Sequence, residues 1–288
     1  MSGETCGDGD LACATIAQLR EVLRWRPGRR PLLLAHRGAP DDKHAENCLA
    51  TYEAAWRAAP CFIEVDVRAT ADGVFVLHHD AKLDRTTTGT GLLSEHGFEQ
   101  LRALRLRDMR GRPTEYRVET LADVLEWARG RTVVFLDVKD GPEAFEPVLR
   151  FVGRREAHTF CVTLTYEIAD TVAVHQIAPE APVYGRATNE AFASELLESG
   201  IPHDRLVAWI HDETPPGVFD LLHAEGILTT YGTFLEVDRR AATEGLGLYD
   251  ARLAKGADIL NTDNVPRATA AVEAFIRSHT RWQGSSPT

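Results

Sequence analysis

The 288-residue sequence has no apolar run long enough to cross a membrane, which takes about 20 consecutive apolar residues. Its first ten residues are polar and acidic, without the basic start and apolar stretch of a secretory signal. Positive charge is short as well: 32 Lys and Arg stand against 43 Asp and Glu, a formal net charge of −11. That argues against nucleic-acid binding, which needs a basic surface, and against tight docking onto anionic lipid. An anionic small molecule still fits if basic groups are focused in one cleft. Cysteine is scarce and scattered, at 6, 13, 48, 61 and 161, with no CxxC pair. The pattern reads as buried free thiols in a reducing, cytoplasmic setting, with a Cys6–Cys13 disulfide as the alternative. There is no low-complexity tract. With 44% hydrophobic and 26% charged residues, the chain can bury a full core without metal or disulfide staples. The oligomeric state is open.

What is present is an alternation of strand and helix signals. Short apolar runs fall at Leu32–Ala35, Phe62–Val67, Thr132–Val138, Phe160–Leu164, Pro182–Tyr184, Leu206–Ile210, Ile227–Tyr231 and Asp258–Leu260. Helical stretches lie between them, such as Leu121, Val124, Leu125 and Ala128 on one face after a Thr120/Asp123 capping box. Counting Gly73–Leu77 with the second strand gives eight βα units. Eight units predict a (β/α)₈ TIM barrel, with a doubly wound open sheet as the alternative. The expected division is an N-terminal arm over 1–30, a barrel over 31–280 and a flexible tail over 281–288. A polar segment over about 81–119 reads as a small insertion after the second strand.

Four polar clusters sit at the ends of apolar runs: His36-Arg37-Gly38, Glu64-Val65-Asp66, His79-Asp80 and Asp137-Val138-Lys139. Glu64 and Asp66 are two apart on a strand and share a face. Two carboxylates in an apolar strand repel each other and resist burial, which a divalent cation relieves. All-oxygen ligation favours Mg²⁺, Ca²⁺ or Mn²⁺ over zinc. Asp137 recurs at another strand end with Lys139 on the same face. His36 and His79 are candidates for proton transfer near neutral pH, and the Arg37 fork suits phosphate oxygens. His78, next to His79, is expected to point the other way. Glu46 and Asn47 open a helix, where both types are ordinary. Thr86 to Gly91 lacks the Lys and following helix of a P-loop.

With these residues the chain resembles the glycerophosphodiester phosphodiesterase family. The matching text is His36-Arg-Gly38, Glu46-Asn47, Glu64-Val-Asp-Val67, Thr70-Ala-Asp-Gly73, Val76-Leu-His-His-Asp80, Leu83-Asp-Arg-Thr-Thr87, Leu136-Asp-Val-Lys139 and the closing Thr262-Asp263. The resemblance implies a TIM barrel that hydrolyses glycerophosphodiesters to glycerol 3-phosphate and an alcohol, using a divalent metal. It implies Glu64, Asp66 and Asp137 as metal ligands and His36 and His79 as the acid/base pair. Arg37 and Lys139, with Glu46 and Asn47, become the substrate contacts. Asp137 stands where the family usually has Glu. Ile227 to Phe234 lacks the family's Trp-Thr-Val-Asn pattern, so Tyr231 and Phe234 are expected to shape the alcohol-side pocket. The alternatives are a lysophospholipase D-like hydrolase and a non-catalytic barrel that binds phosphorylated ligands. A metal-dependent isomerase or aldolase barrel would need more ligands on later strands than Thr165, Asp212 and Asp263 offer. Trp209 and His211 are placed to touch substrate.

Overall fold

A computed structural model describes residues 11–234 and 236–279. Cys6 and the expected tail over 281–288 lie outside the described residues. In chain order the elements are α1 (Ile16–Val22), β1 (Leu32–Ala35), α2 (Leu49–Ala58), β2 (Phe62–Ala69), β3 (Phe75–Leu77), α3 (Phe98–Ala103), α4 (Leu121–Ala128) and β4 (Val134–Val138). They continue as α5 (Phe145–Arg154), β5 (Cys161–Leu164), α6 (Ile168–Ile177), β6 (Val183–Arg186), α7 (Glu190–Leu197), β7 (Leu206–Ile210) and α8 (Pro216–Ala224). Last come β8 (Leu228–Gly232), α9 (Glu236–Glu244), α10 (Gly247–Lys255), β9 (Ile259–Thr262) and α11 (Val265–Ser278).

Eight strands run parallel, and β1 pairs with both β2 and β9, so the sheet closes into a TIM barrel. The open-sheet alternative is thereby excluded. The remaining strand, β3, runs antiparallel to β2 through Val67↔Leu77 to Ala69↔Phe75. β2 pairs with β1 only at Phe62 and Ile63, so its upper half exchanges β1 for β3 as neighbour. Beyond β3, Leu83, Leu93, Leu101, Leu106 and Val118 close a second small core with Val76 inside the insertion. Cys48, Cys61 and Cys161 are buried free thiols.

The helices form for local reasons. α4 starts with reciprocal bonds between Thr120 and Asp123 and buries Leu121, Val124, Leu125 and Ala128, as its periodicity predicts. α1, within the expected arm, is capped by Thr15 and Gln18 and buries Leu19 and Val22.

Strand parity decides what faces the barrel axis. Phe62, Phe135 and Tyr184 meet ring to ring inside the barrel, at 5.5 and 6.3 Å between centroids. Residues two apart share a face. The register pairs Glu64↔Phe135, Asp66↔Asp137, Leu164↔Tyr184 and Arg186↔Trp209 carry the inward face round the wall. The aromatic layer is therefore a floor, and the next inward residues toward the strand C-termini are polar. That is the end on which barrels of this type carry their sites.

Candidate active site

Glu64, Asp66 and Asp137 offer carboxylate oxygens that lie within 4.8 Å of one another, all three buried. Burial, then the charges of Asp66 and Asp137, push the Glu64 carboxyl well above the usual range. Burial also works against Asp66, but Lys139 and Arg37 outweigh it and hold that carboxyl below its usual range. Lys139 Nζ lies 3.0 Å from Asp66 Oδ1 and 2.5 Å from Asp137 Oδ2. Asp66 Oδ1 is thus paired with the ammonium by charge but makes no hydrogen bond. Three converging carboxylates, one with an unused buried oxygen, suit a hard divalent cation.

The turn after β1 reaches into the gap left where β2 exchanges neighbours. Arg37 N donates to Glu64 Oε2 at 2.7 Å, which ties the turn to the triad. Arg37 Nε stands 3.3 Å from Asp66 and its Nη1 bonds Glu46 at 3.2 Å. The turn is strained: Arg37 and Ala39 have φ of 50° and 59°, a region costly for residues other than glycine, asparagine and aspartate, while Asn47 further on takes φ of 57° at little cost. Gly38, at φ +86°, lies so close to Tyr52 that a Cβ would come within 2.6 Å of its ring.

Each histidine is held by a carboxylate. His36 Nδ1 is 2.8 Å from Asp263 Oδ1, and its ring stacks on Phe234 at 4.0 Å. His79 Nδ1 is 2.7 Å from Asp80 Oδ1. An ionised carboxylate cannot donate, so in both rings Nδ1 carries the proton and Nε2 is left for chemistry. Asp80 is gripped by Arg85, which also bonds Glu46 through both terminal nitrogens at 2.7 and 2.8 Å. The Arg85 hydrogen bond, with His79, drives the Asp80 carboxyl far below its usual range despite partial burial. His78 turns away as expected, bonding Thr86 Oγ1 and the Asp80 carbonyl, both at 2.8 Å.

The candidates thus gather on one rim, with two differences in setting. Asn47 donates to Asp66 Oδ2 at 2.7 Å and accepts from Asp66 N and Tyr52, while Glu46 is spent on Arg37 and Arg85. Both stand behind the groups that face the cleft. Tyr231 faces outward, where its hydroxyl meets Arg252 Nε at 3.3 Å, so only Phe234 of the expected pair lies at the site. Tyr166 went unnoticed in the sequence. Its hydroxyl donates to Asp137 Oδ2 at 2.5 Å, filling space beside the short aspartate. Its position two residues after Leu164 was the available signal, since parity alone turns it inward.

The sequence profile of the "Glycerophosphoryl diester phosphodiesterase family" matches residues 36–182. Bovine "Glycerophosphodiester phosphodiesterase 1" is 40% identical over 121 residues, covering 40% of this chain and 35% of the relative. "Glycerophosphodiester phosphodiesterase" of Bacillus subtilis is 27% identical over 172 residues, 53% of this chain and 58% of the relative. The alignments therefore span well under two thirds of these relatives. A crystal structure of a glycerophosphoryl diester phosphodiesterase from Parabacteroides distasonis superposes with a TM-score of 0.86 at 28% identity, covering 92% of this chain and 94% of that one. The profile begins at His36 and takes in both histidines, the acidic triad and Lys139; on this match the chain belongs to the glycerophosphoryl diester phosphodiesterase family.

Proposed function

We propose that the protein hydrolyses glycerophosphodiesters to glycerol 3-phosphate and an alcohol, with a divalent metal and two histidines. One observation carries the reading: a buried acidic triad shares a rim with two imidazoles whose Nδ1 atoms are both fixed on carboxylates. The metal, Mg²⁺ or Ca²⁺ with Mn²⁺ also suited, would sit on Glu64, Asp66 and Asp137 and polarise a phosphoryl oxygen. Arg37 and Lys139 bind the non-bridging oxygens and offset the charge that builds on them. His36 Nε2 takes the proton of the attacking hydroxyl: water, which gives glycerol 3-phosphate directly, or a glycerol hydroxyl of the substrate, which gives a cyclic phosphate that water then opens. His79 enters as the imidazolium, its Nδ1–H held by Asp80, and gives its Nε2 proton to the leaving alkoxide; solvent takes the proton from His36 and resupplies His79. Glu46 and Asn47 act from behind, by setting the positions of Arg37, Arg85 and Asp66. A cytoplasmic location fits the buried thiols and the soluble, small substrate class.

The test is turnover of a panel of glycerophosphodiesters with each metal. His36→Ala and His79→Ala are each expected to lower kcat by about 10²–10⁴-fold, the usual contribution of general acid–base catalysis. Activity that survives both substitutions, or that is indifferent to EDTA, would sink the mechanism.

A further inference from the structure

The triad and histidines account for the phosphate half of a diester. On the barrel wall next to them, the inward positions at the ends of β5, β6 and β7 carry Tyr166, Arg186 and Trp209. Tyr166 joins this wall to the triad through Asp137 and meets the Trp209 ring edge-on at 5.9 Å. The Arg186 guanidinium lies 3.8 Å over the Phe192 ring and 6.0 Å from the Trp209 ring. Among the described residues its one hydrogen bond runs from Nε to Thr188 Oγ1 at 3.2 Å. Its Nη1 stands 4.0 Å from Glu167, an exposed carboxylate in a loose pairing. Both terminal nitrogens are thus left with N–H groups to offer.

We propose that this wall selects a diester whose alcohol is an uncharged polyol, of the glycerol or inositol kind, rather than a quaternary amine. The inference rests on the phosphodiesterase reading above. A quaternary ammonium is recognised by open aromatic faces backed by negative charge. Here a resident cation already lies against the Phe192 and Trp209 rings, so a second cation meets like charge. A polyol uses what is there. Its C–H face lies on Trp209, and its hydroxyls accept from the Arg186 fork. They also donate to the Tyr166 oxygen, which keeps lone pairs while its O–H is directed at Asp137.

The test compares kcat/KM of the full chain for glycerophosphoglycerol and glycerophosphoinositol with that for glycerophosphocholine. The wild type is expected to favour the polyol diesters by about tenfold or more, and Arg186→Gln to erase most of that preference, mainly through KM. Arg186→Lys keeps the charge without the fork; it is expected to weaken polyol turnover while still excluding choline. A wild type that prefers the choline diester overturns the inference, as does a preference unmoved by both variants when their melting curves match wild type. If no diester is cleaved with any metal, the phosphodiesterase reading falls and takes this inference with it. Cleavage with the wrong preference removes the inference alone.

Discussion

At the scale of single residues, a carboxylate partner does not by itself set His36 and His79 apart, since His44, His203 and His223 have one too; what sets them apart is their place beside the acidic triad. Replacing Asp80 with Asn leaves an amide that can also donate, so the His79 ring loses its reason to keep the proton on Nδ1. Asp80→Asn is expected to lower kcat toward the range given for His79→Ala, about 10²–10⁴-fold, with little change in KM. Steady-state kinetics across pH will show it, and an unchanged kcat would mean that Asp80 only caps its turn. The sequence displayed the chemistry of these residues better than their pairings. Glu64 with Asp66, and Asp137 with Lys139, are legible because two-residue spacing fixes a face. The partnership of His36 with Asp263 spans 227 positions, and nothing local announces it. Arg186 and Tyr166 were within reach of the same parity rule, but Arg186 ends, and Tyr166 follows, a strand whose other residues are buried.

At the scale of elements, the legible pieces are those with an apolar stripe or a β-branched run. α9 was missed for a physical reason: five of its nine residues are charged, and it buries only Val237, Asp238 and Ala241. Its value lies in Asp238, which accepts from Thr262 and from the Asp263 backbone N–H, and receives the Tyr249 hydroxyl of α10. A polar helix pair thereby holds the strand end that carries the partner of His36. Another contact across elements gives a pH prediction. Glu119, just before α4, accepts from Leu49 N at 2.5 Å and so caps the start of α2. Burial, then the nearby Asp123, raises its carboxyl to about 7. A raised acid stabilises the fold fully below its unfolded value near 4.5 and loses that contribution as pH climbs through 7. Glu119→Gln still accepts from Leu49 but cannot ionise. The stability gap between wild type and variant is expected to move against wild type by on the order of 2–3 kcal/mol from pH 4.5 to 8. Urea titrations at several pH values measure it, and a flat gap would refute it.

At the scale of the whole molecule, the barrel is read from the alternation of elements, while closure is a tertiary fact seen only in the pairing of β1 with β9. On the proposed metal assignment, the acidic triad would make the stability of the fold respond to metal as a global property. A site that exists only in the folded state stabilises it by about 2.7 kcal/mol when free metal is 100 times its Kd. The melting temperature is therefore expected to rise with Mg²⁺ or Ca²⁺ and fall with EDTA, and Glu64→Gln to blunt the response. Melts that ignore both metal and chelator would contradict the ligand assignment without any reference to activity.

The left-handed backbone at Arg37 and Ala39 has a consequence for how this molecule can change. Ala39→Gly relaxes a costly conformation and is expected to gain roughly 1 kcal/mol of stability while loosening the turn that presents His36 and Arg37, so kcat falls. A rise in melting temperature without loss of turnover would show that the turn needs no such tension. The turn thereby ties lifetime to speed: a change that relaxes it is expected to prolong the folded state at the expense of turnover.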